Sequence, residues 1–263
     1  MRTRPPRRTF LDLRPAELEA AAPVRSTLFL GRLDADALRR ELEEAGVIAG
    51  LAARGYERVQ IRTGQEAGEH RLRILPGGGA GILVDLRLGE ASTFFKEPRL
   101  SRLGLEVLSF LSMNWLTLQD PDRAFSPDRP RLPGQEHPGL GLSRVLYPRL
   151  LIWAEDWGKD GLLNFPEYYH NAFIYAPAFR FISPAREGRF QALRRDLAAL
   201  SLAEASWAVF EGRVLEEPAG LPLRWEPAEM VAPASHDVRR YLEAPDYGRA
   251  VEDMAGRTRF RAV

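Results

Sequence analysis

In the run Gln135-Glu136-His137-Pro138-Gly139-Leu140-Gly141-Leu142, two glycines stand one residue apart at the head of an apolar stripe. Leu142, Leu146, Leu150, Trp153 and Trp157 continue it at helical spacing. Glycine lets the backbone turn without a side chain in the way. A helix that starts at once aims unpaired N–H groups, and the positive end of its dipole, into that turn. An anion suits such a place, a diphosphate in particular. An ordinary tight loop carries the same two glycines, and both readings stand at this point. Further on, Tyr175 offers a phenol, a group that can protonate a leaving atom, although an ordinary half-buried aromatic accounts for it equally well. Glu167 and His170, three residues apart, have the spacing of a carboxylate–histidine metal pair on one helix face. Only one such pair exists, and His70 and His236 lie in unrelated contexts, so a solvated or capped histidine is the expectation. Neither Ser112 nor Ser143 sits in a Gly-x-Ser-x-Gly elbow.

Whether the glycine turn heads a helix depends on Pro148. A helix that begins at Leu142 holds Pro148 in its interior, where the missing donor and the clash with the Arg144 carbonyl cost about 3 kcal/mol. A helix that begins at Tyr147 accommodates it in the first turn. The continuity of the stripe through Leu142 and Leu146 favours the earlier start.

Upstream, Ser26 to Leu33 reads as a short edge strand. A helix capped by Asp34 comes next, with Leu38, Leu42, Ala45, Ile48, Ala49 and Ala52 on one face and Gly55 as its stop. Alternation then predicts strands over Tyr56–Thr63, His70–Leu75 and Gly81–Leu88, with Gly77-Gly78-Gly79 as a hairpin turn. Ser112–Leu118 reads as a central strand, while Leu103–Leu111 fits helix or strand. The Pro-rich stretch 119–138 is a long loop. After the glycine turn come a strand over Gly161–Phe165, a helix over Glu167–Ala176 and a further strand reaching Ser183. Arg186–Leu200 is helical in pattern. Ser201-Leu202-Ala203-Glu204 is a capping box. Beyond Glu216 lies a proline-spaced extended segment, and two short helices come after Ser235 and Asp246.

The 37 basic and 36 acidic residues leave a formal charge of +1, and no basic stripe recommends nucleic acid as a partner. With no cysteine, disulfides, thiolate metal sites and a Cys nucleophile are excluded, and the cytoplasm is the natural compartment. The Arg7-Arg8 pair near the start is followed by Asp12, Arg14, Glu17 and Glu19 rather than an apolar core, so residues 1–25 read as a basic arm and not an export signal. No run is long enough to span a membrane.

The glycine turn and the segments after it resemble the GNAT superfamily of N-acetyltransferases. That family's acyl-CoA motif is Gln or Arg, two residues, Gly, one residue, then Gly or Ala. Gly139 and Gly141 fall on the small positions. Glu136 falls on the Gln/Arg position, where a carboxylate repels a diphosphate, and Gln135 is one residue out of register. The family continues with a strand and a helix bearing Asn, two residues, Ala, three residues and Tyr. Tyr175 takes the Tyr position, Asn171 the Ala position and Tyr168 the Asn position, with Ala172 one residue late; Phe179-Arg180-Phe181 stands where Gly-Phe is expected.

The resemblance spans about residues 105–183 and implies an α/β (α+β) fold, a mixed and mostly antiparallel sheet flanked by helices. Within this reading, residues 26–184 form the core and 185–263 a helical and extended appendage packed on it. It implies N-acyl transfer from acetyl-CoA or another acyl-CoA to an amine. Gln135, His137, Gly139, Leu140, Gly141, Leu142 and Asn171 would line the cofactor, and Tyr175 would protonate the departing thiolate. No residue matches a family position for the base that frees the amine; Glu106 and Glu167 lie near predicted strand ends and are the carboxylates within reach. A GNAT-like fold that no longer binds CoA and serves as a small-molecule or protein-interaction module is the alternative.

Overall fold

The computed structural model describes residues 28–263 apart from Ala67, Ala80 and Lys96. The basic arm, and the first residues of the strand read over Ser26–Leu33, lie outside the described residues. From Leu28 the chain makes a tight turn rather than a strand. Phe29 and Leu33 exchange backbone hydrogen bonds of 2.7 and 3.0 Å across it, so the segment doubles back on itself.

The helix predicted from Asp34 forms in two pieces. Asp34 caps α1 (Ala35–Glu44) by accepting from Ala37 N–H at 2.7 Å. Gly46 breaks the run in the left-handed conformation at φ +78°, and α2 (Val47–Ala52) resumes at a new angle. α1 buries Leu38 and Leu42 as predicted, but after the break α2 buries Val47 and Leu51, leaving Ala49 and Ala52 of the predicted face exposed. The alternating segments form the meander β1 (Val59–Glu66), β2 (Glu69–Pro76) and β3 (Val84–Phe94). After α3 (Pro98–Arg102) comes β4 (Val107–Leu118), so Val107–Leu111, open between helix and strand in the sequence, is strand.

The helix after the glycine turn is α4 (Ser143–Asp156), which contains Pro148. Next come β5 (Gly161–Asn164), α5 (Tyr169–Tyr175), β6 (Arg180–Phe181), α6 (Pro184–Asp196) and α7 (Leu202–Phe210), the last with the Ser201/Glu204 capping box formed. The chain ends through β7 (Val214–Glu217), β8 (Leu221–Pro222), β9 (Met230–Pro233), α8 (His236–Leu242), α9 (Pro245–Arg257) and β10 (Arg259–Ala262).

The result is a mixed α/β architecture. Seven strands pair in the order β1-β2-β3-β4-β5-β9-β6, antiparallel throughout except β4–β5, and β10-β7-β8 form a small second sheet. Because β9 inserts between β5 and β6, the core sheet continues past residue 184 into the C-terminal part of the chain. Two apolar clusters are built on this sheet. One gathers α1, α2, α4 and α5 around Leu72, Leu86, Leu111 and Leu162; the other joins α3, α8 and α9 to Phe110, Leu163 and Val231. A Glu41 carboxylate oxygen ties α4 to α1, accepting from Arg149 and from Trp153 Nε1 at 2.8 Å each.

The β5–β9 pairing sets the tightest steric limit. A Cβ on Gly161 would drive into the Ala232 carbonyl oxygen, a backbone atom that side-chain rotation cannot remove. Gly161→Ala is therefore expected to cost about 1–3 kcal/mol. Gly248 lies inside α9 with no atom within 4 Å of its added methyl, and Gly248→Ala should gain about 0.5–1 kcal/mol. Urea unfolding of the two variants checks both signs.

Candidate functional site

β4 and β5 run side by side for four residues, from Phe110↔Gly161 to Met113↔Asn164. At the next residue the register between β3 and β4 slips: Arg87 faces Trp115 and Leu88 faces Met113, which leaves Asn114 as an extra residue on β4. A bulge of this kind bends its strand and increases the local twist. Beyond it β4 runs on to Leu118 beside β3, while β5 ends at Asn164. The central sheet therefore parts at the C-terminal ends of its parallel pair, a place where loops and helix starts converge in mixed sheets.

The glycine turn is fixed to one side of this split. Leu140 N–H donates to Leu118 O at 3.1 Å, Asp120 N–H donates to Pro138 O at 2.8 Å, and Gln119 bridges Gly139. Leu140 and Leu142 are buried, whereas Gly141 is exposed and lies at φ +66°. Helix α4 then begins at Ser143, capped by Leu142, which has no polar side chain. No backbone acceptor among the described residues takes the N–H groups of Gly141, Leu142, Ser143 or Arg144. Those of Leu142, Ser143 and Arg144 are orphan donors of the helix start and carry its partial positive charge, with Gly141 N–H just before them.

Arg54, at the end of α2, comes to the same place. A side chain on Gly141 would begin 3.6 Å from Arg54 Nη2. The guanidinium donates from Nη1 to Gly50 O at 2.6 Å, a carbonyl and not a carboxylate, and its buried Nε has no hydrogen-bond partner. Gly50 permits the approach, since a Cβ there would lie 2.5 Å from Leu142 Cδ2. A guanidinium and a helix N-terminus repel one another, and an anion between them satisfies both. Nothing in the local sequence marks Arg54, which is far from the turn along the chain and belongs to no motif.

The other residues singled out in the sequence lie in several separate places. Gln135 is engaged within its own loop: its Oε1 accepts from Leu132 N–H at 3.2 Å and its carbonyl from Arg131 Nε at 2.7 Å. Glu136 is exposed and His137 half-buried. Tyr175, 8% exposed, packs edge-on against Tyr147 of α4 with ring centroids 5.2 Å apart. Burial raises its phenol above the ordinary value, against the opposing effect of hydrogen-bonding contacts with Tyr147 and Asn171. The phenol therefore holds its proton at neutral pH.

Glu167 precedes the α5 cap Tyr168 and is exposed, so it and His170 do not share a helix face. His170 is not solvated as expected. It is 5% exposed, its ring stacks on Tyr168 at 5.4 Å, and its Nδ1 has no partner. Among the described residues no cluster of three or more His, Cys, Asp or Glu is placed to hold a metal ion.

The Pro-rich loop is an ordered strap. Its buried Asp120 accepts from Tyr56 O–H at 2.6 Å, Ser126 and Arg129 pair with each other, and Trp207 Nε1 donates to Arg131 O at 2.9 Å. Gly134 lies against the Tyr168 ring, where a Cβ would come within 2.8 Å. The strap thus covers the entry to α5. Two surface grooves lie elsewhere, one beside Trp225 and Arg224, the other, of about 530 Å³, beside Phe173 and Arg194. No helix among the described residues is long and apolar enough to cross a membrane.

Comparison with protein-family models, with curated proteins and with solved structures finds no match to this chain.

Burial lowers the His170 pKa to about 4 from the ordinary 6.5, so the unfolded chain takes up a proton at this site before the folded one does. The stability from keeping it neutral is complete above pH 6.5 and is lost as pH falls towards 4. The gap is worth about 3 kcal/mol. His170→Asn should remove that part of the slope of unfolding free energy against pH between 6.5 and 4, measured by urea titration.

Proposed function

We propose that the chain is a GNAT-like N-acyltransferase that moves an acyl group from an acyl-CoA to an amine. The observation that carries this reading is the approach of the Arg54 guanidinium to Gly141, the first of four successive residues, Gly141 to Arg144, whose N–H groups no backbone acceptor among the described residues takes at the start of α4. That donor set fits a diphosphate, with the N–H groups taking oxygens along one side and Arg54 supplying the opposite charge. The mixed, mostly antiparallel sheet that the resemblance implies is present, which also supports the reading. Gly141 admits close approach because it has no side chain.

Acyl transfer then requires the amine nitrogen to bond to the thioester carbonyl, the C–S bond to break and the sulfur to gain a proton. Tyr175 has the proton to give, and its contacts with Tyr147 and Asn171 favour the phenolate that giving it leaves behind. The base that takes the amine proton is not assigned.

A second reading, a non-catalytic module on the same fold, is favoured by the near-complete burial of Tyr175 and by the position of both grooves away from the glycine turn.

Acetyl-CoA at about a hundred times its dissociation constant should add near 2.7 kcal/mol to stability, read as a thermal shift. Arg54→Ala should weaken binding about 10- to 100-fold, the worth of a charge-assisted hydrogen bond. Tyr175→Phe should leave that binding intact and lower kcat by about 100-fold once an acceptor amine is supplied. A thermal shift absent with every acyl-CoA tried would sink the acyltransferase reading.

A further inference from the structure

Asn164 is the last residue of β5 and is 2% exposed, yet neither its Oδ1 nor its Nδ2 has a hydrogen-bond partner. Its strand neighbours cannot help. In register it lies between Met113 of β4 and Met230 of β9, and both belong to the apolar cluster that contains Tyr147 and Tyr175. Strand alternation places it on the face of Leu162, in that same cluster, and opposite Leu163. A primary amide among methionines gives up its hydration for nothing, and buried amides are seldom left so. His170, six residues on, repeats the pattern, with a buried Nδ1 that has no partner. Asn164 also sits where β4 and β5 part, since Met113↔Asn164 is their last pair and the next residue on β5's side, Phe165, is 49% exposed.

We propose that Asn164 is a ligand-binding side chain at the floor of the split, and that its amide takes a neutral group with both a donor and an acceptor, such as an amide or an uncharged amine. Neutrality follows from the surroundings: two methionines flank it, and Asn164 offers an acceptor oxygen and an amide NH2 with two donor hydrogens but no charge. In the acyltransferase reading, on which this assignment of a role rests, Asn164 positions the acyl acceptor. An amine N–H donated to Oδ1 leaves the nitrogen lone pair free for the thioester carbonyl.

Two measurements on the full chain test this. Without ligand, Asn164→Leu should have an unfolding midpoint in urea equal to or above wild type, because an apolar side chain of similar size removes an unpaired amide. A lower midpoint would show the amide already bonded in the free protein and would overturn the proposal.

With propionamide as probe, the wild-type melting temperature should rise and that of Asn164→Leu should not, while butyrate moves neither. A wild type unmoved by propionamide, or a variant that responds equally, also overturns it. Acetyl-CoA is titrated in parallel. If wild type responds to propionamide and not to acetyl-CoA, the acyltransferase reading fails and the Asn164 site remains. If the variant keeps its acetyl-CoA response and loses that to propionamide, Asn164 belongs to the acceptor side of the site.

Discussion

The structure depends on the brief pairing of β4 with β5. A single bulged residue, Asn114, sits just past the last shared pair, and its position is itself secured, because Asn114 Nδ2 donates to Glu69 at 2.7 Å across the sheet. Beyond the bulge, the end of β4 binds the glycine turn through Leu118 O, and α4 starts over the opening. Other contacts assemble beside it: the strap lies over the start of α5, Tyr175 meets Tyr147, and Arg54 approaches Gly141.

The groups around the split are under electrostatic and polar tension in the free protein. Arg54 faces partial charge of its own sign, and Asn164 and His170 hold polar atoms with no partner. Each of these costs stability, and each is relieved by a bound group of complementary character. Some charged groups elsewhere are fully paired, although the buried Nε atoms of Arg87 and Arg99 also have no hydrogen-bond partner. Arg71 meets Asp85 through two hydrogen bonds of 2.8 and 2.5 Å, and Arg189 meets Glu216 in the same way. The unmet amide of Asn164 at the end of β5, and Arg54 beside the glycine turn that β4 holds, are the physical basis for placing function at the split.

Local signals carried much of the fold. Asp34 as a cap, the β1 to β3 alternation and the Ser201/Glu204 box all act within a few residues, and the structure forms each of them. The start of α4 was legible because the stripe through Leu142 and Leu146 outweighs one exposed proline. Long-range events were not legible. The insertion of β9 between β5 and β6 depends on pairings that no local pattern encodes, and Arg54 reaches Gly141 only because Gly46 and Gly50 set how α2 lies. The burial of His170, expected to be solvated or capped, was not legible: its ring stacks on Tyr168, which in turn lies against Gly134 of the strap, a contact distant in the chain.

We propose the start of α4, with Arg54, as an anion site that receives the diphosphate of an acyl-CoA. Amide hydrogen exchange read residue by residue, with and without coenzyme A, tests it most directly. The amides of Gly141 to Arg144 are expected to exchange slowly only in the presence of coenzyme A, and Arg54→Ala to abolish most of that protection. Unchanged exchange at these four amides under saturating coenzyme A would contradict the claim.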